Sequence, residues 1–403
     1  TVLDGEFTLA ALSLTTPGGP VAIGGANTLT LGSGGIGMAT ATQDLTITAP
    51  LVLGASQTWN VASNQTVAVN GGVSGSGAAL SLLGGGTLAL GSAATYTGDT
   101  TISAGTVRIG TANALPNGAG NGKVSMGGGA SVLDLNGHNL AINGLVSSYA
   151  APAVVDNLAG GNVTLTVGAD YQGVNNNGYG TFDGNIQNTT GTLSLVKTGA
   201  GTVFLRGPNS TYSGSTTVLN GILKFGTPGA GGDSGINRLP ATTVLTLGDA
   251  VNTTGGELML NSRSQTLAGL TTTGAGYPLH MTTGSTASPL PVSNTTDYTF
   301  NGVMGGAAVN DNNFSLAKAG SGTLTLMAGF GNNTYTGNTT VNGGTLALSG
   351  SGSIIPGSAN LIVAGGAVLD VSGDSGLAVS SQTLGNSSAG GVINGACDVS
   401  SGT

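Results

Sequence analysis

Charge is scarce in this chain: Asp, Glu, Lys and Arg make up 6% of its 403 residues, against about a quarter in an ordinary globular protein. With a mean hydropathy of +0.25, so little charge excludes the usual disordered chain, which pairs low hydrophobicity with high net charge. Aromatic residues reach only 4%, too few for a core of large rings. Helix signals are almost absent as well. There are two glutamates and four lysines, and no long window places apolar residues at i, i+3, i+4 and i+7. No apolar run approaches the roughly 18 residues that a transmembrane helix needs. The single cysteine, Cys397, excludes a disulfide framework and reads as a small turn or core residue, with pairing between molecules as the sharper alternative. A net charge of −8 excludes a basic face for nucleic acid. The start, Thr1-Val2-Leu3-Asp4, shows no signal peptide and reads as processed or trimmed.

What is present is glycine, 76 residues of it, cutting short runs of Val, Leu, Ile and Ala together with Asn, Ser and Thr. That pattern predicts many short β-strands joined by tight turns. The runs also repeat. Gly86-Thr87-Leu88, Gly201-Thr202-Val203 and Gly322-Thr323-Leu324 each lead to a Tyr-x-Gly turn at Tyr96, Tyr212 and Tyr335. Each turn leads to a Thr-Thr-Ile or Thr-Thr-Val strand at Thr100, Thr216 and Thr339, and then to Gly105, Gly221 and Gly344. A third marker follows at Val132-Leu133-Asp134-Leu135, Glu257-Leu258-Met259-Leu260 and Val368-Leu369-Asp370-Val371. Short strands of this kind cannot each bury a face alone; stacked as rungs they bury one into a continuous core. The expected fold is all-β, a parallel β-solenoid with short Gly/Asn turns and loop insertions, about 20–25 residues to the rung. We read it as one continuous solenoid over 1–403, with repeats at 1–79 (partial), 80–192, 193–313 and 314–403 (partial).

The pattern resembles the autotransporter-associated β-strand repeat of secreted bacterial surface proteins. The resemblance is carried by Lys197-Thr198-Gly199-Ala200-Gly201-Thr202, Tyr212-Ser213-Gly214, Thr216-Thr217-Val218 and Asn220-Gly221, and again by Lys318 to Thr323, Tyr335 to Gly337 and Thr339 to Leu348. The first copy departs from it, with Leu82 where the lysine would stand. The resemblance implies a right-handed parallel β-helix exported to the cell surface and no catalytic activity. No C-terminal barrel or anchor of the autotransporter sort is visible in the chain.

Chemical candidates are few. Gly232-Asp233-Ser234-Gly235 and Gly373-Asp374-Ser375-Gly376 spell the string around a serine-protease nucleophile, but the only histidines, His138 and His280, lie in no matching context, so both serines read as turn residues. No catalytic residue is assigned. Asp134 and Asp370 occupy equivalent repeat positions and read as structural. No cofactor is called for; weak calcium binding at Asp170, Asp183 and Asp311 is the one metal reading left open.

Two functions remain. One is a secreted structural subunit that assembles end to end with copies of itself into a filament or surface coat, through the apolar opening strand (Val2, Phe7, Leu9, Leu12, Leu14) and Cys397. The other is a monomeric adhesin that binds glycans or host surfaces through insertions at 149–160, 171–180, 227–240 and 272–297, with Tyr149, Tyr171, Tyr179 and Tyr277 as contacts.

Overall fold

The computed structural model describes residues 1–118, 121–127, 129–147, 153–168, 179–207, 210–226, 237–251, 255–274, 280–327, 329–350, 358–374, 377–378, 383–385, 390–395 and 397–398. Every regular element among them is a β-strand. The chain forms two compact units, Thr1–Val196 with Ser210–Ser213, and Lys197–Asn209 with Gly214–Thr403. Both are parallel β-solenoids.

In the first unit a nine-stranded and an eight-stranded sheet run along the stack. The segment 80–109 shows how a rung is made. Leu80–Leu83 and Thr87–Leu90 lie on one rung, and Thr100–Ile102 and Gly105–Ile109 on the next. Leu80 pairs with Thr100 and Leu88 with Val107, in parallel register. Alternation then decides which side chains enter the core. Leu80, Leu82, Leu88, Leu90, Ile102, Val107 and Ile109 are all buried. The lone tryptophan belongs to this core: Trp59 is fully buried and donates its Nε1 hydrogen to Gln57 Oε1 at 2.9 Å.

The second unit uses the same device. Val203 pairs with Leu223 and Leu223 with Leu258, while Leu316 pairs with Thr339 and Thr339 with Leu361. Two stretches expected as insertions also hold strands. Ala153–Asp156 pairs with Ser131–Asp134, because Ala153 and Val155 alternate into the core. Ser288–Ser293, with sequence SPLPVS, pairs with Phe314–Ala319. Its prolines, Pro289 and Pro291, accept hydrogen bonds from Gln265 N and Leu267 N at 3.2 and 2.9 Å. Lacking an N–H they return nothing, and pairing on that side is the single bridge Leu267–Val292.

Glycine is required where the chain turns into the second strand of a repeat. Gly105, Gly221 and Gly344 have φ of 83, 67 and 61°. A Cβ at Gly221 would lie 2.5 Å from both Gly199 O and Gly201 O, and one at Gly344 would lie 2.4 Å from Gly320 O and 2.5 Å from Gly322 O. Asparagine takes the left-handed corners that have room for a side chain. Asn136 (φ 46°) and Asn261 (φ 50°) sit at equivalent turns. Asn136 Nδ2 donates to Ile109 O at 3.0 Å, and Asn261 Nδ2 donates to Phe225 O at 2.7 Å, each on the rung before.

These contacts separate two penalties. Gly77 has φ of 69° but nothing within 4 Å of a built Cβ, so Gly77→Ala should cost about 1–2 kcal/mol, the ordinary left-handed penalty. Gly221→Ala adds backbone collision and should lower the urea midpoint by at least twice as much. Equal losses would contradict the steric account.

Candidate functional site

The most distinctive polar arrangement is buried between rungs. Lys197 and Lys318 are 1% and 0% exposed. Lys197 Nζ donates to Thr198 O, Gly199 O and Asn220 O at 2.7, 2.7 and 2.9 Å. Lys318 Nζ donates to Ala319 O, Gly320 O and Gly343 O at 2.7, 3.1 and 3.1 Å. Three N–H groups meet three carbonyls, two on the lysine's own turn and one on the next rung. Burial pushes the Lys318 pKa below the usual lysine range, and the Asp297 carboxylate pulls in the opposite direction. The arrangement ties two turns together. In the first repeat Leu82 fills this place and is likewise buried.

The tyrosine of each Tyr-x-Gly turn is also fully buried. Tyr96 Oη and Tyr335 Oη lie 2.6 Å from Thr100 Oγ1 and Thr339 Oγ1, the first threonine of the following strand. Thr339 Oγ1 continues to Ser358 Oγ at 2.9 Å, whose hydroxyl reaches Gly337 O at 3.0 Å. The second repeat has a matching link, with Thr216 Oγ1 and Thr243 Oγ1 3.0 Å apart and Thr243 Oγ1 donating to Gly214 O at 3.0 Å. Tyr335 also stacks on Phe314, with ring centroids 5.2 Å apart.

The residues singled out in the sequence are not gathered together. Phe7–Ser13 is a strand paired in parallel with Leu29–Met38. Val2 and Phe7 on it or beside it are 76% and 47% exposed. Leu9 and Leu12 are half-buried, and Leu14 is buried. Cys397 pairs with Leu377 in a short ladder. Tyr179 begins the strand Tyr179–Phe182, whereas Tyr149, Tyr171 and Tyr277 lie outside the described residues, as do Ser234, Ser375 and Asp170. His138 sits in a turn, its N–H donated to Leu135 O. His280 stands between Glu257 and Val303 on neighbouring strands.

The carboxylates serve local backbone. Asp134 takes Arg108 Nε at 2.8 Å and the N–H groups of Asn136 and Leu158. Its counterpart Asp370 takes Ser372 N and Oγ at 3.0 and 2.6 Å. Asp311 accepts Ala308 N at 2.9 Å, and Asp183 lies in a separate turn. Among the described residues no three metal-ligating side chains come together.

One feature escaped the reading of the sequence. Residues 197–263 hold five of the chain's eight cationic side chains (Lys197, Arg206, Lys224, Arg238, Arg263) against three acidic ones, Asp233, Asp249 and Glu257. Three of the four arginines are among them, and a local charge count would have found them. Arg238 is 1% exposed.

Fold and ties together define a class: a parallel β-solenoid knitted by a recurring Lys, Tyr and Gly unit. The passenger-associated-transport-repeat model matches the chain three times, over residues 80–109, 195–225 and 316–348, and each match contains one of the Tyr-x-Gly turns. Three segments of the chain are thus similar to the passenger-associated transport repeat. More particularly, the chain is 33% identical over 246 residues to the adhesin BmaC autotransporter of Brucella suis biovar 1 (strain 1330). That alignment takes in 58% of this chain and 7% of the relative, so the chain spans a small part of that protein's length. No solved structure matches. Repeats and relative together mark the chain as a secreted or cell-surface protein.

Two measurements check the ties. Lys318→Met should destabilise the protein by about 1–3 kcal/mol by leaving carbonyls without their donor; an unchanged urea midpoint would rule the tie out. Burial pushes the Tyr96 and Tyr335 phenols well above their usual pKa, with the threonine hydrogen bonds pulling slightly the other way. The unfolded chain therefore loses these protons first, near pH 10, so their contribution is complete below that pH and declines above it. Stability should fall beyond pH 10, and Tyr96→Phe with Tyr335→Phe should flatten the decline.

Proposed function

We propose that this chain is a non-enzymatic segment of a surface adhesin, a solenoid whose stacked rungs carry binding loops. The observation that supports it most is the threefold passenger repeat in a chain 33% identical over 246 residues to an adhesin autotransporter. In this reading the repeats supply reach and rigidity, and contact with glycans or host surfaces falls to the segments that interrupt them, at 171–180 and 227–236 above all. Tyr149, Tyr171, Tyr179 and Tyr277 are the aromatic groups assigned to that contact. Aromatic side chains suit it because they add area at low entropic cost.

End-to-end assembly is a second reading, favoured by one feature. The outer edge of Phe7–Ser13 carries exposed apolar side chains, and an edge of this kind accepts another parallel rung, from an adjoining segment of a longer polypeptide or from a second copy.

One preparation addresses both. Purified protein and a variant with 171–178 and 227–236 shortened to Gly-Ser links are applied to cell monolayers and glycan arrays, and imaged by negative stain at high concentration. Adhesion predicts binding by the intact protein that the shortened variant loses, with single particles in the images. Equal binding by both, or none, counts against the loops. Filaments in the images would favour assembly.

A further inference from the structure

We propose that Asn220 and Gly221 form a self-modification site, where the asparagine side chain cyclises onto the next backbone nitrogen and ends as isoaspartate, assisted by Lys197. The Asn220 amide folds back on its own chain: Gly221 N donates to Asn220 Oδ1 at 2.7 Å. A carbonyl bond is about 1.23 Å long, so this nitrogen lies at most about 3.9 Å from the Asn220 Cγ it would attack. That borders on the near-attack separation of about 3–3.5 Å. Gly221 carries no side chain to hinder the approach. Both residues are half-buried, so water reaches them.

The lysine acts on the same peptide group. Lys197 Nζ donates to Asn220 O at 2.9 Å, and that oxygen belongs to the peptide unit of Gly221 N. A peptide nitrogen attacks only after losing its proton, and the negative charge then spreads onto the carbonyl oxygen. An ammonium already seated there, itself buried, stabilises that charge as it develops. Hydroxide takes the Gly221 proton, and the nitrogen bonds to Asn220 Cγ. The Cγ–Nδ2 bond breaks, ammonia leaves with a proton from water, and a succinimide ring remains. Water then adds at the carbonyl that Lys197 polarises and cleaves its bond to Gly221 N. The former main-chain carbonyl becomes a carboxylate facing the ammonium, and the chain continues through Cγ. The balance is asparagine plus water to isoaspartate plus ammonia.

The other repeats lack one part or the other. In the first, Leu82 stands in place of the lysine and Ala104 precedes Gly105. In the third, Lys318 Nζ donates to Gly343 O at 3.1 Å, so a glycine occupies the position of Asn220. Two further Asn-Gly pairs have their groups engaged elsewhere. Gly137 N donates to Asn157 Oδ1 at 2.9 Å instead of to Asn136, and Asn301 Oδ1 accepts Gly329 N at 2.8 Å. The site does not depend on the adhesin reading, because its chemistry needs only the chain and water.

The test is incubation of the folded full chain at mildly alkaline pH, followed over days by peptide mapping, with isoaspartate counted by enzymatic methylation. Asn220 should convert at least about tenfold faster than Asn136 and Asn301, the factor expected of one charge-assisted hydrogen bond. In concentrated urea the three rates should converge, because the Asn-Gly sequence is then all that they share. Lys197→Leu, the residue that the first repeat buries at this place, should slow Asn220 by the same factor. Gly343→Asn, where a built Cβ meets nothing nearer than 3.6 Å, supplies the missing amide beside Lys318 and should create a second fast site. Equal rates at the three pairs in the folded chain overturn the site. Equal or faster conversion in Lys197→Leu, or no conversion at position 343 in Gly343→Asn, overturns the part given to the lysine.

Discussion

Parallel rungs in register place each residue about 4.8 Å from its counterpart on the next turn, and that spacing governs the rest of the molecule. It leaves no room for a Cβ where the chain bends over the carbonyls of the rung before it. Gly105, Gly221 and Gly344 are the consequence. Where the corner is wider, an asparagine in the left-handed region turns the constraint into a bond, as Asn136 and Asn261 do with Ile109 O and Phe225 O. Turn chemistry and rung cohesion are thus one device.

The same spacing explains the buried lysines. At a glycine turn, peptide carbonyls point inward and have no strand to receive them, and a buried acceptor without a donor is costly. The Lys197 and Lys318 ammoniums answer three carbonyls each. Their function is cohesion. The tyrosines close the other end of the unit in the same way, hydroxyl to threonine hydroxyl. In the proposed adhesin reading, a motif so fully engaged with its own rungs leaves recognition to whatever departs from it.

Departures from the repeat differ in kind. At 153–156 and 288–293 the chain returns to the sheet, since alternating Ala153 and Val155, or Leu290 and Val292, find the core even with prolines between them. At 197–263 the departure is electrostatic: besides the repeat's own Lys197, four cationic side chains share a stretch with three acidic ones in an otherwise acidic chain.

Much of this was legible in the residues themselves. Period, glycine punctuation and the Lys, Tyr-x-Gly and Thr-Thr-Val landmarks determined a parallel solenoid and its repeats, because those signals are local: alternation sets the strand face, and glycine or asparagine sets the corner. The Leu82 substitution was visible too, though not what the lysines it replaces would hold. Only the tertiary structure decided that Lys197 and Lys318 are plugged into carbonyls and that Pro289 and Pro291 lie within a strand. Each depends on which residues meet across rungs, and rungs of unequal length, with Leu80 meeting Thr100 but Thr216 meeting Leu245, prevent that pairing from being counted along the chain.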